Sequence, residues 1–355
     1  MQGQLLCAME QDREEMKHGH SRSRVRAYDC RRRRILTGGV LLAGVFILAM
    51  LTPSAATAEG PLKVRNQFPL LIPVHPPYLE SAEVRDEIVA SLSHSSTYLT
   101  EASKQWAVGI DIELTELNIR LKKRIGDRNE IGLDVPVIRP SGGFFDVPLA
   151  DWHNLLGAGD YGRHNRPPNS FLYQVLFNGN PVIIPKNDRS GLGDLRAAWK
   201  VKLHDAGPVV SLLVDAEAPT GDARTGYGNG SYDFGAALLL DAAFGRTYRV
   251  YANAGVVSPG DWKGYQTIPL RAFGYGGLGI EAAWWERFHV IVQTVVAGSP
   301  FPSTGIREID WPGVLLTFGG RYSWQKNSVE FSLTEDPDTA GAPDFIANVS
   351  WSYGF

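Results

Sequence analysis

Thiols are almost absent from this chain of 355 residues. Its two cysteines, Cys7 and Cys30, both lie in the first part of the sequence, and residues 59–355 contain none. For everything after residue 58, this absence excludes a disulfide framework, a metal centre with cysteine ligands and a lipid anchor on cysteine.

Basic charge and long apolar runs are also scarce after residue 58. Nine of the 35 Lys and Arg residues and five of the 38 Asp and Glu residues precede residue 59, which leaves 26 basic and 33 acidic residues and a net charge of about −7. This balance argues against a nucleic-acid partner, which requires a basic surface. No window past Leu51 is apolar enough for a spanning helix, so any membrane crossing there must be made by strands.

The first 58 residues have the organisation of a secretory signal peptide. A basic stretch ends at residues 31–34, an uncharged apolar run covers residues 35–51, and Ala56 and Ala58 are the small residues that a signal peptidase requires. We therefore expect a signal peptide over residues 1–58, cleaved near Ala58. The apolar run is short for a spanning helix, which needs about 20 residues, and an uncleaved membrane anchor is the alternative.

The last eleven residues, FIANVSWSYGF, alternate between apolar and small polar side chains. Successive side chains of a strand point to opposite faces, so one face becomes increasingly aromatic through Trp351, Tyr353 and Phe355. This pattern resembles the C-terminal strand of bacterial outer-membrane β-barrels, whose terminal aromatic residue acts as an assembly signal. The alternative is an amphipathic last strand of a soluble sandwich.

Alternating segments and connections of two lengths predict an all-β fold. The segments with clean alternation are 114–123, 130–137, 195–204, 232–244, 248–256, 288–296 and 314–324. Short turns (126–128, 205–207, 245–246 and 325–327) alternate with longer loops (139–170, 218–230, 258–267, 298–310 and 334–343). This rhythm predicts a single-domain antiparallel transmembrane β-barrel of about 12 strands, within a range of 10–14, over residues 90–355. Residues 59–89 are rich in proline and are expected to form a periplasmic lead-in or a plug, with a short helix around 80–91.

Two sets of motifs resemble known families. The first set comprises PLKVRNQFP at 61–69, SGLGD at 190–194, and a loop motif of Gly142, Gly143, Asp146, Trp152, His153 and Arg163. It resembles a family of uncharacterised bacterial outer-membrane proteins, known only as a domain of unknown function. The second set, Gly193-Asp194 with PTG at 219–221 and GNG at 228–230, is more weakly similar to outer-membrane proteins linked to aromatic-compound degradation operons. Both resemblances imply an outer-membrane barrel, and neither supplies a catalytic residue or a substrate.

The loop at 139–170 is longer than an ordinary connection, and such loops are usually functional or disordered. His153 with Ser141 or Ser170 is a candidate base and nucleophile for a lipid hydrolase, although no G-x-S-x-G motif is present. The alternative is that Trp152 and His153 pin the loop into the barrel mouth. Its acidic and histidine side chains lack a compact ligand pattern, so we expect no metal site.

Basic side chains share strand faces that would point into a barrel whose apolar residues face lipid. They are Arg120, Lys122, Arg196, Lys200, Lys202, Arg249, His289 and Arg321. Charges in a water-filled lumen tune selectivity, whereas in a narrow barrel they form networks that fill the interior. The proposed counter-charges are Asp111, Glu113, Asp233 and Asp241.

We therefore expect a monomeric barrel in the bacterial outer membrane, with outer-membrane lipid and the barrel-assembly machinery as partners. Its expected role is passive: a narrow channel or transport protein for small or hydrophobic solutes, or a structural component of the envelope. Neither a cofactor nor a catalytic activity is expected. The alternatives are an outer-membrane lipid hydrolase that uses the 139–170 loop and a soluble periplasmic β-sandwich that binds a ligand.

Deleting Phe355 should impair assembly more than deleting one residue from the 258–267 loop, because the terminal aromatic is the expected assembly signal. The measurement is heat-modifiable gel migration of protein extracted from membranes. Equal assembly of the two deletion variants would contradict this interpretation of the last strand.

Overall fold

The computed structural model describes residues 59–146, 148, 166–338 and 340–355. The strands among these residues are β1 (Glu87–Ala102), β2 (Trp106–Ile125), β3 (Asn129–Ser141), β4 (Leu172–Phe177), β5 (Asn180–Ile183), β6 (Gly191–Leu192), β7 (Leu195–His204), β8 (Val209–Ala218), β9 (Asp233–Phe244), β10 (Tyr248–Ser258), β11 (Trp262–Lys263), β12 (Thr267–Ile268), β13 (Phe273–Ala283), β14 (Phe288–Ala297), β15 (Gly313–Trp324), β16 (Asn327–Glu335) and β17 (Phe345–Gly354). A short helix, α1 (Arg307–Asp310), lies between β14 and β15. No helix in this part of the chain has the length and hydropathy needed to cross a membrane.

Twelve antiparallel strands of the described residues close into a barrel, which confirms the predicted fold. They are β1, β2, β3, β7, β8, β9, β10, β13, β14, β15, β16 and β17, each paired with its neighbours in this order. Closure comes from β1 and β17, which pair from Glu87 opposite Gly354 to Ser96 opposite Phe345. Strand β4 of the β4–β5 hairpin pairs with the loop-end part of β2, and β6 pairs with the loop-end part of β3.

The two ends of the barrel differ in the length of their connections. One end, here called the turn end, has short turns at 126–128, 205–208, 245–247, 284–287 and 325–326. The connections at the opposite end, the loop end, are longer, apart from 103–105 between β1 and β2. The sequence pattern missed the turn at 284–287, because Trp284 and Trp285 are not turn-forming residues. It also missed the short connection at 103–105 between β1 and β2.

The short helix expected around 80–91 is wrong. Strand β1 already begins at Glu87, and the preceding residues form no regular element. Val89, Ser91 and Ser93 are buried while Leu92 is exposed, an alternation of period two that suits a strand paired on both edges with β2 and β17. Tertiary pairing overrides the helix propensity of this stretch.

The outer face of the barrel carries an exposed apolar band. Leu238 is 56% exposed and Phe331 53% exposed, although both lie in the middle of their strands. Their neighbours Leu239 and Ser332 point inward and are buried. Apolar side chains outside and polar ones inside are typical of transmembrane barrels.

The interior is divided along its length. Near the loop end a cluster of buried apolar residues fills it, including Phe68, Trp106 and Trp262. Toward the turn end the buried inward side chains are mostly charged or hydroxylated, such as Arg120, Arg321 and Ser350. The interior is therefore apolar near the loop end and polar toward the turn end.

Leu238→Arg should destabilise the barrel by about 2–4 kcal/mol, the cost of a basic residue on the lipid face near the bilayer midplane. Urea unfolding of the protein in lipid vesicles measures this change. Tyr232→Arg is the matched control, because Tyr232 is equally exposed but precedes β9 at the loop end. Equal effects of the two variants would show that the apolar band does not face lipid.

Candidate functional site in the barrel interior

Residues 59–86, here called the internal segment, lie inside the barrel. Every residue from 60 to 82 is buried. The segment is bonded to strands around the wall: the Leu62 N–H donates to Gln293 (2.9 Å), the Lys63 N–H donates to Glu330 (3.0 Å) and the Arg65 side chain donates to Glu116 (2.7 Å). The segment therefore occupies much of the polar lumen.

Glu80 and Tyr78 of the internal segment form one charged cluster. Lys122 Nζ lies 2.6 Å from a Glu80 carboxylate oxygen, and the Arg120 guanidinium lies 3.9 Å from the centre of the Tyr78 ring. The Tyr78 hydroxyl donates to Asp134 (2.8 Å) and accepts from Arg196. Three basic residues of the wall thus find partners on the segment.

The pKa of Glu80 shows that this carboxyl is ionised in the cluster. Burial opposes the charged carboxylate, but the positive charges of Lys122, Lys200, Lys63 and Arg120 outweigh it and hold the Glu80 pKa well below its usual range. Glu80 therefore stays ionised, and its attachment to the wall persists across the physiological range of pH.

Arg321 is the centre of a second cluster, on β13–β16. Its guanidinium, fully buried, donates to Glu330 (2.8 Å), to Glu281 (3.0 Å) and to the backbone carbonyl of Gly60 (2.5 Å). His289 contacts the same Glu281 carboxylate. Removing one partner from a buried cluster of this kind typically costs about 3–5 kcal/mol.

Three further basic residues predicted to face the lumen are Lys200, Lys202 and Arg249. Lys200 is buried against Glu130 (2.9 Å) and donates to the carbonyl oxygens of Ser81 and Glu83. Lys202 and Arg249 are only partly buried, and Lys202 Nζ lies 3.5 Å from Asp205. The structure thus brings six of the eight basic residues into buried positions and leaves these two at the rim.

The four acidic residues proposed as counter-charges have other partners. Asp111 and Glu113 share the outer face of β2 with exposed Leu117, and Asp111 pairs with Arg166 (2.5 Å). Asp233 and Asp241 do point inward, but their bonds are with Asn229 and Gly260 and with Ser81 and Ala82 respectively. The expectation is wrong because, among the described residues, no hydrogen bond or ion pair joins these four carboxylates to the eight basic residues.

The true counter-charges are Glu80, Glu130, Asp134, Asp215, Glu281 and Glu330. Each of those on the wall lies in the alternating inward register of its strand. Several of them could have been found from the sequence, as acidic residues that share the inward strand face with basic residues on neighbouring strands. Nothing in the local pattern of 59–86 indicates Glu80.

Glycines in the wall make room for the internal segment. A side chain at Gly277 would lie 2.7 Å from Leu79, and one at Gly319 would lie 2.9 Å from Leu62. Real Cβ atoms essentially never approach so closely. The segment and the wall are therefore complementary in shape as well as in charge.

The first part of the loop motif packs on the outside of the barrel. Glu113 accepts hydrogen bonds from the backbone N–H groups of Phe144 (2.9 Å) and Phe145, and from His94 (2.7 Å). Gly143 has φ +74°, and a side chain there would overlap the Glu113 carboxylate. The glycines thus serve to dock the loop on β1 and β2.

Other residues of the motif are only partly covered by the structure. Asp146 accepts from the backbone N–H of Asn169 (2.6 Å), and Gly142 precedes the docked turn. Trp152, His153 and Arg163 lie outside the described residues. Of the two nucleophile candidates, Ser170 donates to Asp111 (2.6 Å), and Ser141 ends β3.

The residues of the expected assembly signal lie at the turn end of β17. Trp351 and Phe355 are exposed on the outer face, and the Trp351 ring stacks with Tyr353. The Phe355 N–H donates to the carbonyl of Asp86 (3.3 Å), and Lys123 Nζ lies 5.0 Å from its ring centre. The aromatic end of the chain thus lies beside the end of the internal segment.

Asp194 links the PTG motif at 219–221 and the GNG motif at 228–230 at the loop end. Its carboxylate accepts from the N–H groups of Gly221 (2.8 Å) and Asn229 (3.2 Å), and the Thr220 hydroxyl donates to the Gly193 carbonyl (2.8 Å). Burial raises the pKa of Asp194 to about 7, against the opposing effect of these N–H groups. One carboxyl therefore organises the connection between β8 and β9.

The closed barrel, its exposed apolar band and its polar interior define an outer-membrane type of β-barrel. The chain belongs to the family described as "Protein of unknown function (DUF3187)", whose model matches residues 40–355. This confirms the resemblance to an uncharacterised family. No curated protein matches the chain.

Three solved structures are similar to this chain. The COG4313 outer membrane channel from Pseudomonas putida F1 is 16% identical, over 79% of this chain and 100% of that one, with a TM-score of 0.52. The NanC porin is 7% identical over 76% and 100% of the two chains, with a TM-score of 0.43. The P. putida toluene transporter TodX is 10% identical over 84% and 100%, with a TM-score of 0.41. At 16% identity, the similarity to the COG4313 channel supports the fold alone.

Trypsin cleavage at exposed Arg224 should report the protonation of Asp194. A carboxyl whose pKa is raised in the folded state favours folding when protonated, and this contribution is lost as the pH rises from its ordinary value to about 7. The ratio of wild-type to Asp194→Asn cleavage rates should therefore rise between pH 6 and 7 and then level off. The asparagine variant corrects for the pH dependence of trypsin, and a flat ratio would contradict the prediction.

Proposed function

We propose that this protein is an outer-membrane channel for small solutes, with a lumen narrowed by the internal segment. The observation that carries the proposal is a closed barrel with a polar inner wall, in which the buried charges are matched by partners. A barrel with a purely structural role could be filled by apolar side chains at lower desolvation cost. Retaining a polar interior is consistent with passage of hydrated solutes.

The internal segment is a fixed part of this channel. Its bonds to Lys122, Arg196 and Arg321 are buried, and leaving such charges without partners is costly. Since these charges are neutralised in place, the passage has no unpaired charged ring, and we infer weak ion selectivity.

The proposed setting is the outer membrane, reached after removal of residues 1–58. The apolar band matches the hydrocarbon core, and the short turns match the periplasmic side of outer-membrane barrels. The loop end then faces outward, and a monomer suffices because the barrel closes on itself. A soluble β-sandwich does not account for the exposed Leu238 and Phe331.

We assign no catalytic step to this barrel. The candidate base His153 lies outside the described residues, and Ser170 is engaged with Asp111. A role in the structure of the envelope is the second candidate, favoured by the extent to which the internal segment fills the lumen.

Planar-bilayer recording of protein purified from membranes tests the proposal, with heat-modifiable migration as the check on folding. We expect reproducible conductance steps that are small for a barrel of this size and weakly selective. A folded barrel that gives no steps and no solute flux would overturn the channel and leave the envelope role.

A disulfide between the internal segment and the wall tests whether the segment is fixed. The Ser81 hydroxyl meets the Asp241 carboxylate at 2.5 Å, and residues 59–355 contain no cysteine, so Ser81→Cys with Asp241→Cys allows a single cross-link. Conductance should be the same before and after reduction of this bond. The Ser81→Cys single variant is the control, and conductance that appears only after reduction would show that the segment must leave for solutes to pass.

A further inference from the structure

Two acidic residues on the outer face of β2 hold the long loop against the barrel. Glu113 accepts a hydrogen bond from the backbone N–H of Phe144 (2.9 Å). Asp111 accepts one from the Arg166 side chain (2.5 Å), near the other end of the loop. Residues 143–146, here called the docked turn, therefore lie beside the barrel wall and not over its mouth.

Strand register places the docked turn at the loop-end edge of the apolar band. Leu92 of β1 lies opposite Val349 of β17 and Leu117 of β2, and these three side chains are 41–51% exposed. His94 lies two residues nearer the loop end on the same face of β1, which is about 6.6 Å along a strand. The Phe144 ring stacks on His94, with 5.1 Å between ring centres. Phe144 therefore lies just above the exposed apolar row.

The two aromatic rings of the docked turn have different surroundings. Phe145 stacks on Phe345 of β17, with 5.8 Å between ring centres. Phe345 is only 9% exposed, although it shares the outer strand face with exposed Val349. Phe144, in contrast, is 65% exposed. One ring thus covers the wall, and the other is presented to the surroundings of the barrel.

The carboxylates beside Phe144 are shielded. Glu113 is 1% exposed, and its carboxylate also accepts from His94 (2.7 Å). Asp146 is 8% exposed and accepts from the backbone N–H of Asn169 (2.6 Å). Charged groups in contact with lipid are costly unless they are paired or covered. Neither carboxylate therefore opposes contact between the Phe144 ring and lipid.

Glycines fix the backbone that presents Phe144. Gly143 has φ +74°, a left-handed conformation that favours glycine. A side chain at Gly143 would overlap the Glu113 carboxylate, and one at Gly142 would clash with the backbone carbonyl of Asn169. The exposed position of Phe144 is therefore set by the close docking of the turn on the barrel wall.

We propose that Phe144 is a membrane contact of the docked turn, inserted at the boundary between the headgroups and the acyl chains of the outer leaflet. The partner is a lipid surface, and the contact depends on its apolar interior and not on a particular headgroup. An exposed apolar side chain that continues an apolar surface loses its contact with water when lipid covers that surface. This inference rests on the proposed membrane setting and adds an anchor that holds the start of the long loop at the membrane surface.

The depth of a nitroxide label at position 144 tests this contact. The label is attached to Phe144→Cys in the full chain, with Cys7 and Cys30 changed to serine because residues 59–355 contain no other cysteine. In phosphatidylcholine vesicles, depth is measured as the ratio of collision rates of the label with oxygen and with a water-soluble nickel complex.

Two further labelled variants provide the references. Leu238→Cys reports the middle of the apolar band, and Tyr265→Cys is the matched control. Tyr265 is also an exposed aromatic residue at the loop end (52%), but it lies in the connection between β11 and β12. The ratio at Phe144→Cys should be several-fold higher than at Tyr265→Cys and lower than at Leu238→Cys.

The outcomes separate this inference from the proposed membrane setting. A ratio at Leu238→Cys no higher than at Tyr265→Cys would show that the apolar band does not face lipid, and the setting itself would be wrong. A high ratio at Leu238→Cys, with equal ratios at Phe144→Cys and Tyr265→Cys, would leave the setting intact and overturn the lipid contact.

A tryptophan variant tests the same contact while keeping an aromatic ring at this position. Heat-modifiable migration checks the folding of every variant, and Phe144→Trp replaces Phe144→Cys if the cysteine variant does not fold. The emission that Phe144→Trp adds to that of the wild type should be quenched by phosphatidylcholine with brominated acyl chains. Absence of this quenching would overturn the lipid contact.

Discussion

Burial of charge inside a closed barrel is the constraint on which the rest of this structure depends. The wall presents basic residues such as Arg120, Lys122 and Arg321 to the interior, where all three side chains are buried. Desolvation would make these charges prohibitively costly without partners. Partners come both from neighbouring strands and from the internal segment, whose Glu80 and Gly60 carbonyl complete two of the clusters. The segment is therefore part of the folded core of the barrel.

Charged groups on the outside of the barrel near the loop end also need hydrogen-bond partners. Glu113 lies on the outer face of β2, where a bare carboxylate would be unfavourable beside lipid. The backbone N–H groups that follow Gly143, together with His94, cover it. Asp194 plays a comparable part for the loop between β8 and β9. Single buried carboxylates thus hold the long connections in place, which explains why glycine-rich turns accompany them in the sequence.

Local alternation identified most of the strands, because a side chain's face depends only on its parity within the strand. It also separated exposed Trp199 from buried Lys200 correctly. It failed for the counter-charges: Asp111 and Glu113 lie on the outer face of β2, and their burial depends on a distant loop. It failed again at 80–91, where pairing of β1 with β17, far apart in sequence, decides the conformation. Partners that are remote along the chain leave no local signature.

The sequence by itself determined the all-β class, the approximate number of strands, the two lengths of connection and the faces of the strands that alternate clearly. These properties depend on the period of a strand and on turn chemistry, which are local. Only the tertiary structure decided that residues 59–86 pass through the lumen and which acidic residues pair with the basic ones. Those properties depend on register and on closure of the sheet, which bring together side chains as distant in sequence as Gly60 and Arg321.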